Sequence, residues 1–217
     1  MVEPRRRRAA TTEKLTRVLD ATEEIMLSDG YAAVTSRNVA ARVGIQSALL
    51  HYYFATIDDL FVAVLRRRTE RNADRLTTAL TSSQPLRTWW DLAADPRGTA
   101  LFVELMAAGN HRPAIRTEVA GVARELRRVQ MEALTTLLPE YGIDPTVIPP
   151  ALFAAALQGL AFGLVTDEAA GYDTAHKEAR AAMSKFVARL EKKRARADPE
   201  RPKQSGRAIR EVRARES

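Results

Sequence analysis

The stretch from Thr35 to Leu60, TSRNVAARVGIQSALLHYYFATIDDL, permits few folds, because it carries a helix start, a helix stop and two more helix starts in close succession. Thr35 and Ser36 are N-cap residues, whose hydroxyls satisfy free N–H groups of a first turn. Val39, Ala40 and Val43 then recur at helical spacing as a small apolar face. Gly44 follows, where a helix ends in a left-handed residue. Ser47 opens another helix, predicted over Ala48–Phe54. Its Leu50 and Phe54 face inward together, which leaves Gln46, Ser47, His51, Tyr52 and Tyr53 for the outer face and its edges. Thr56-Ile57-Asp58-Asp59 has the pattern of a capping box, with Asp in place of Glu. It starts a long helix at Ile57 with Leu60, Phe61, Val64 and Leu65 as its apolar stripe. Helix, glycine turn and helix make a helix-turn-helix, whose second helix enters the DNA major groove. The outer-face groups are short or planar hydrogen-bonding side chains, suited to base edges and phosphates.

Gly30-Tyr31 and Val34-Thr35 stand ahead of the first motif helix. Val39-Ala40, Val43-Gly44-Ile45, Leu50, Phe54 and Asp58-Asp59-Leu60 follow in order. With these pieces, residues 11–65 resemble the TetR-like family of bacterial transcriptional regulators. The resemblance implies an all-α protein. An N-terminal three-helix, helix-turn-helix DNA-binding domain would precede a C-terminal helical ligand-binding and dimerisation domain. The chain departs from the family in two ways: the family usually has Tyr at His51 and His at Tyr53, and it usually has Lys at Ile57; in the family the Tyr and the Lys touch phosphate. His51 still offers a donor, whereas Ile57 has only its backbone N–H at a helix N-terminus.

The chain has 217 residues and is 46% hydrophobic, enough to build two packed units or one large helical one. It has no cysteine, which excludes disulfides, thiolate zinc sites and cysteine nucleophiles. No apolar run is read as approaching the ~20 residues of a membrane span. The N-terminus lacks the apolar core of a signal peptide, so a cytoplasmic protein with no membrane partner is expected. The net charge of +7 is uneven. Residues 1–70 carry 11 basic and 9 acidic groups, residues 71–191 carry 13 and 14, and residues 192–217 carry 10 and 4. Most of the basicity lies in the tail, so DNA binding is inferred from the motif and not from the overall charge.

Residues 1–10, with Arg5 to Arg8, read as a basic disordered arm, either solvated or lying along phosphates. Thr11 or Thr12 caps a first helix to about Asp29, with Leu15, Val18, Leu19, Thr22, Ile25 and Met26 inward; Gly30 ends it. Residues 11–56 then form the DNA-binding domain, and residues 57–193 a helical effector-binding and dimerisation domain. A helix from Ile57 to Leu80 links the two, and its Arg66-Arg67-Arg68 cluster reads as a solvated face. A short helix Leu86–Ala94 holding Trp89 and Trp90 comes next, then a turn at Asp95–Gly98 and a helix from about Thr99 to Ala108. A break at Gly109–Pro113 precedes a long amphipathic helix, Ala114–Leu138. Ala151 to about Asp167 is apolar nearly all round, and a helix with no polar face must be covered on every side. Ala155, Gly159 and Gly163 leave a smooth stripe on it for close backbone approach. A further helix, Thr174 to about Lys193, carries Ala179, Met183, Phe186 and Leu190. Paired with two-fold copies, the two helices predict a homodimer through a four-helix bundle over residues 151–191. Residues 194–217 read as a basic disordered tail, for solubility or for non-specific DNA affinity.

The only histidines are His51, His111 and His176, and none has a partner at metal-ligand spacing. No glycine-rich phosphate loop and no Ser, His and Asp arrangement is legible. No metal, cofactor or catalytic residue is expected, and the chain reads as non-enzymatic. Trp89, Phe102, Met106, Met131, Phe153, Leu157 and Phe162 are candidate linings of an effector pocket, with His111 or Gln158 as polar anchor; the same apolar residues also serve as plain core. The candidate DNA contacts are Thr35, Ser36, Arg37, Gln46, Ser47, His51, Tyr52 and Tyr53. Thr35 and Arg37 are assigned to phosphate, and Gln46 and Ser47 to the N-terminal end of the recognition helix. The reading is a dimeric, sequence-specific regulator on a pseudo-palindromic double-stranded operator. It would be a repressor released by a small, largely apolar effector. The alternative is a helical adaptor or ligand-binding protein that has lost DNA binding, which only Ile57 favours. An activator or a ligand-independent regulator is a further one.

Overall fold

The computed structural model describes residues 3–197, and every regular element among them is helical. In order these are α1 (Glu3–Asp29), a 3₁₀ turn (Tyr31–Ala33), α2 (Ser36–Val43), α3 (Ser47–Tyr53), α4 (Ile57–Leu80), α5 (Pro85–Ala93), α6 (Pro96–His111), α7 (Pro113–Glu140), α8 (Pro150–Ala169) and α9 (His176–Ala197).

Local chemistry sets many of these boundaries. The Thr35 hydroxyl accepts from the Asn38 N–H at 3.2 Å ahead of α2, and Gly44 closes α2 in the left-handed region at φ 73°. The Thr56 N–H and hydroxyl donate to the Asp59 carboxylate at 2.9 and 2.8 Å, and the Asp59 N–H donates back to the Thr56 hydroxyl at 3.1 Å. That reciprocal pair is the expected capping box ahead of α4. Pro85, Pro96, Pro113 and Pro150 each open a helix, where the missing N–H breaks no intrahelical bond and φ is already set.

This use of proline corrects two expectations. The turn expected at Asp95–Gly98 is largely the first turn of α6, because Pro96 begins that helix. The break expected at Gly109–Pro113 narrows to Arg112, since Gly109, Asn110 and His111 stay helical. At the N-terminus, α1 begins at Glu3 rather than Thr11 or Thr12, so residues 3–10 of the expected disordered arm are helical. At the other end α9 runs to Ala197. Residues 1–2 of the arm and 198–217 of the tail lie outside the described residues.

The chain divides into two compact units, and not at residue 56. The first comprises residues up to Arg71 together with Ala100–Arg124; the second comprises Asn72–Thr99 and the residues from Glu125 on. In the first unit, Val18, Ile25 and Met26 of α1, Val39 of α2 and Leu50 of α3 are buried with Phe61 of α4. Leu101, Leu105 and Ala108 of α6 and Ile115 of α7 complete this core. In the second, Leu86, Trp89 and Trp90 of α5 pack with Leu134 and Leu138 of α7. Tyr141, Ala154, Leu157, Ala161 and Leu164, and Val187 of α9, belong to the same cluster.

The Arg66-Arg67-Arg68 cluster is not simply solvated. Arg66 holds Glu118 through two hydrogen bonds, at 2.8 and 3.1 Å. Arg67 is largely buried, pairing with Asp20 at 2.7 Å and with Glu23 on α1. The Arg66 guanidinium keeps the Glu118 carboxyl below the usual carboxylate range.

Within a single chain α8 is only half covered. Ala154, Leu157, Ala161, Leu164 and Val165 are buried, while Leu152, Ala155, Gly159, Leu160 and Phe162 are exposed. A Cβ added at Gly159 or Gly163 would meet open space. At 20 residues, α8 is also long and apolar enough to cross a membrane by length and composition, which corrects the reading that no run approaches that length. On α9, Ala179, Met183 and Leu190 are half-buried at the margin of the second core, and Phe186 is exposed.

Candidate nucleic-acid interface

α3 is short, and its orientation follows from which residues enter the core. Leu50 is 1% exposed, and Phe54, just past the helix end, is buried beside it. The opposite face is left with Ser47, Ala48, His51 and Tyr52, all exposed, and Gln46 stands exposed at the N-cap. Tyr52 is 81% exposed, an unusual state for so large a ring. Tyr53 stands at the edge of that face. It is half-buried against the first core, with its ring edge-on to Tyr52 at 5.4 Å. Ala48 was not singled out by sequence, yet its methyl sits on the exposed face, where a small group lets the backbone approach a partner closely. Such a residue is legible from the helical repeat alone, once the repeat is anchored on Leu50.

The start of α2 supplies the other part of the surface. Thr35 and Arg37 are exposed and Ser36 is half-buried. The Thr35 oxygen is engaged by the Asn38 N–H, but its own O–H remains a donor. The Asn38 side chain donates to the Ala33 carbonyl at 2.8 Å, which fixes the approach to this turn. Gln46, Ser47, His51 and Tyr52 therefore form one polar face on α3, with Thr35, Ser36 and Arg37 as a group at the α2 N-terminus.

Several residues that hold this pair of helices escaped sequence reasoning. Arg17 of α1 donates to the Val43 carbonyl at 3.0 Å, closing the end of α2. Glu104 of α6 accepts from the Tyr31 N–H at 2.6 Å. Arg112 pairs with Asp58 in the first turn of α4 and lies over the Phe61 ring, 5.4 Å from its centroid. The Tyr31 ring stacks on His111 at 6.4 Å between centroids. Glu104 and Arg112 are far from the motif in sequence, and no local pattern marks them.

The candidate effector residues fall into two sets. Phe102, Met106 and His111 belong to the first unit; Trp89, Met131, Phe153, Leu157, Gln158 and Phe162 belong to the second. Trp89 and Leu157 are buried core members, and Met131 and Phe153 pack beside them. Met106 and Phe162 are exposed and Phe102 is half-buried. His111 is exposed with its ring on Tyr31, and Gln158 is half-buried.

Comparison with known proteins bears on the same region. Residues 18–64 match the family model of the bacterial regulatory proteins, TetR family. No curated protein matches the chain. Among solved structures, a member of the TetR family from Streptomyces coelicolor A3 is 25% identical with a TM-score of 0.58, over 82% of this chain and 98% of that one. The multidrug binding protein EbrR, complexed with imidazole, is 26% identical with a TM-score of 0.54, over 82% and 94%. A protein described as a transcriptional regulator from Saccharomonospora viridis, in complex with choline, is 17% identical with a TM-score of 0.65, over 82% and 96%. The last speaks to the fold alone.

Proposed function

We propose that the chain is a TetR-like bacterial transcriptional regulator and acts as a dimeric, cytoplasmic repressor, released from a pseudo-palindromic operator by a small, largely apolar effector. The observation that carries this reading is the outer face of α3. Ser47, His51 and Tyr52 stand in solvent on a helix whose other side is anchored by Leu50, so donors, acceptors and an aromatic edge are available to base pairs. Thr35 and Arg37 at the head of α2 are placed to take phosphate. Ile57 does not stand against this, because a phosphate can be met by backbone N–H groups at a helix start.

The exposed side of α8 supports the second copy. Gly159 and Gly163 have nothing facing their Cα hydrogens, and Leu152, Leu160 and Phe162 are exposed around them. A stripe of this kind is covered most simply by its own two-fold mate, with α9 completing a bundle. A lipid partner is disfavoured because the opposite side of α8 is committed to the second core and its last turn carries Asp167 and Glu168. The effector is assigned to the second unit, where Trp89, Met131, Phe153 and Leu157 are grouped and Gln158 supplies an amide. The solved structure of EbrR complexed with imidazole supports a small organic molecule. It would act only if it bound the DNA-competent and released arrangements unequally.

Selection of bound sequences from a random duplex pool tests the reading. A dimer should enrich two inverted half-sites about 34 Å apart. Tyr52→Ala should weaken binding to the selected operator by about tenfold or more, at about 1–3 kcal/mol for a base-edge contact. Enrichment of a single unpaired half-site would sink the dimer. An operator affinity untouched by Tyr52→Ala at several salt concentrations would remove α3 from the interface.

A further inference from the structure

α9 buries His176, Val187 and Glu191. The face turned away from these carries Lys185, Arg189, Lys192 and Arg196, spaced so that all four fall on one side of the helix. All four are exposed, and none is in an ion pair or hydrogen bond among the described residues. They form a line of about 16 Å at 1.5 Å per residue.

Some cations on other helices are paired with carboxylates on the same surface, whereas Arg124 and Arg127 of α7 are exposed without an ion pair among the described residues. Arg128 of α7 holds Glu125 and Glu132, each at 2.6 Å, and Arg180, early in α9, holds Glu168 at 2.8 Å. Along residues 185–197 the only carboxylate is Glu191, which is buried and occupied by the α5 N-terminus. Cations near a helix C-terminus offset its dipole, but that benefit fades beyond the last turn. It can account for Arg196, and not for Lys185 or Arg189, which stand two to three turns before Ala197.

We propose that this face of α9 is a docking surface for the phosphate backbone of a nucleic acid, engaged without regard to sequence. The inference goes beyond the reading of α3 and does not depend on it. Charge complementarity selects a linear polyanion, and the composition of the face selects among polyanions. Among the four cations stand the small side chains of Ala188 and Ala195, with Lys193 a further exposed cation beside them. A membrane-surface helix would need large apolar groups beneath its basic ones, and a protein partner would be anchored by aromatic residues. Phe186, the one large exposed hydrophobe of α9, lies about 100° round the helix from Lys185. A row of cations without anchors is what a phosphate chain, bound by counterion release, requires.

The test is lysine footprinting on the full chain. The protein is acetylated with and without a random-sequence duplex in low salt. Lys185 and Lys192 should lose reactivity, while Lys177, exposed at the head of α9, should keep it, and the protection should vanish in high salt. In parallel, the variant K185Q/R189Q/K192Q/R196Q should bind the random duplex about tenfold or more weakly in low salt, with its helical circular dichroism unchanged. Unprotected lysines overturn the proposal whatever the variant does, since footprinting uses the native chain. Protection by polyglutamate or by phosphatidylserine vesicles, without protection by duplex, reassigns the face to an acidic protein or a membrane and equally overturns it. Protection of both lysines with no operator found by selection would leave this proposal standing and the α3 reading refuted.

Discussion

α4 and α5 start in opposite ways. At α4 the cap is local: Thr56 and Asp59, three residues apart, satisfy each other across the first turn. At α5 the N-cap residue Gln84 makes no side-chain cap bond. The Leu86 and Arg87 N–H groups donate instead to one Glu191 oxygen, at 2.9 and 3.2 Å, from 105 and 104 residues away. The other Glu191 oxygen accepts from the Tyr141 hydroxyl at 3.0 Å. Burial, and after it the Glu191 charge, push the Tyr141 phenol up, so it remains a donor across the physiological range. Nearby, Arg194 pairs with Glu140 at 2.9 Å. The α4 cap is thus made within one turn, whereas the α5 start is tied to the end of α7 and to α9 through one buried carboxylate.

If that contrast is real, the two caps should differ sharply in worth. Glu191→Ala strands two backbone N–H groups and a phenol where water does not reach. It should cost about 3–5 kcal/mol in urea unfolding; a loss under about 1 kcal/mol would mean that packing alone fixes α5. Thr56→Ala removes an exposed, local cap and should cost about 1 kcal/mol by the same measurement. Equal costs at the two positions would erase the distinction. The smallest effect sharpens the comparison from a third helix start. Arg180 holds Glu168 through bonds of 3.0 and 2.8 Å and so keeps that carboxyl below the usual carboxylate range. A folded-state value below the unfolded one, about 4.3, gives stability that is present above it and is lost as pH falls through the folded value. The difference in urea midpoint between the native chain and Arg180→Gln should therefore be steady above about pH 5 and close in more acidic solution. A difference indifferent to pH would detach Glu168 from the pair.

The same contrast explains what could be read from the sequence. The caps at Thr35 and Thr56, the stop at Gly44 and the inward pair Leu50 and Phe54 all act over one or two turns, so residue order reveals them. Tyr53, at the edge of the outer face, is turned by helical geometry toward the core. Pro96 and Pro113 read in sequence as breaks, yet the same ring is well suited to a first turn, and each opens a helix. Glu104, Arg112 and Glu191 act across long separations, and nothing adjacent to them signals a partner. The expected pocket residues are apolar side chains at helical spacing. Such a pattern identifies a core, and it gathered Trp89 and Leu157 into one without distinguishing core from lining.

The first unit owes its interior to two separate stretches of chain, since Leu101, Leu105, Ala108 and Ile115 close over α1, α2 and α4. A cassette cut after residue 56 would lack Phe61 of α4, Leu101, Leu105 and Ala108 of α6 and Ile115 of α7, all members of the core that holds Val18 and Met26. Transplanting the first unit into another protein therefore means carrying both stretches at once, with the foreign sequence spliced into the interval between Arg71 and Ala100 and again beyond Arg124.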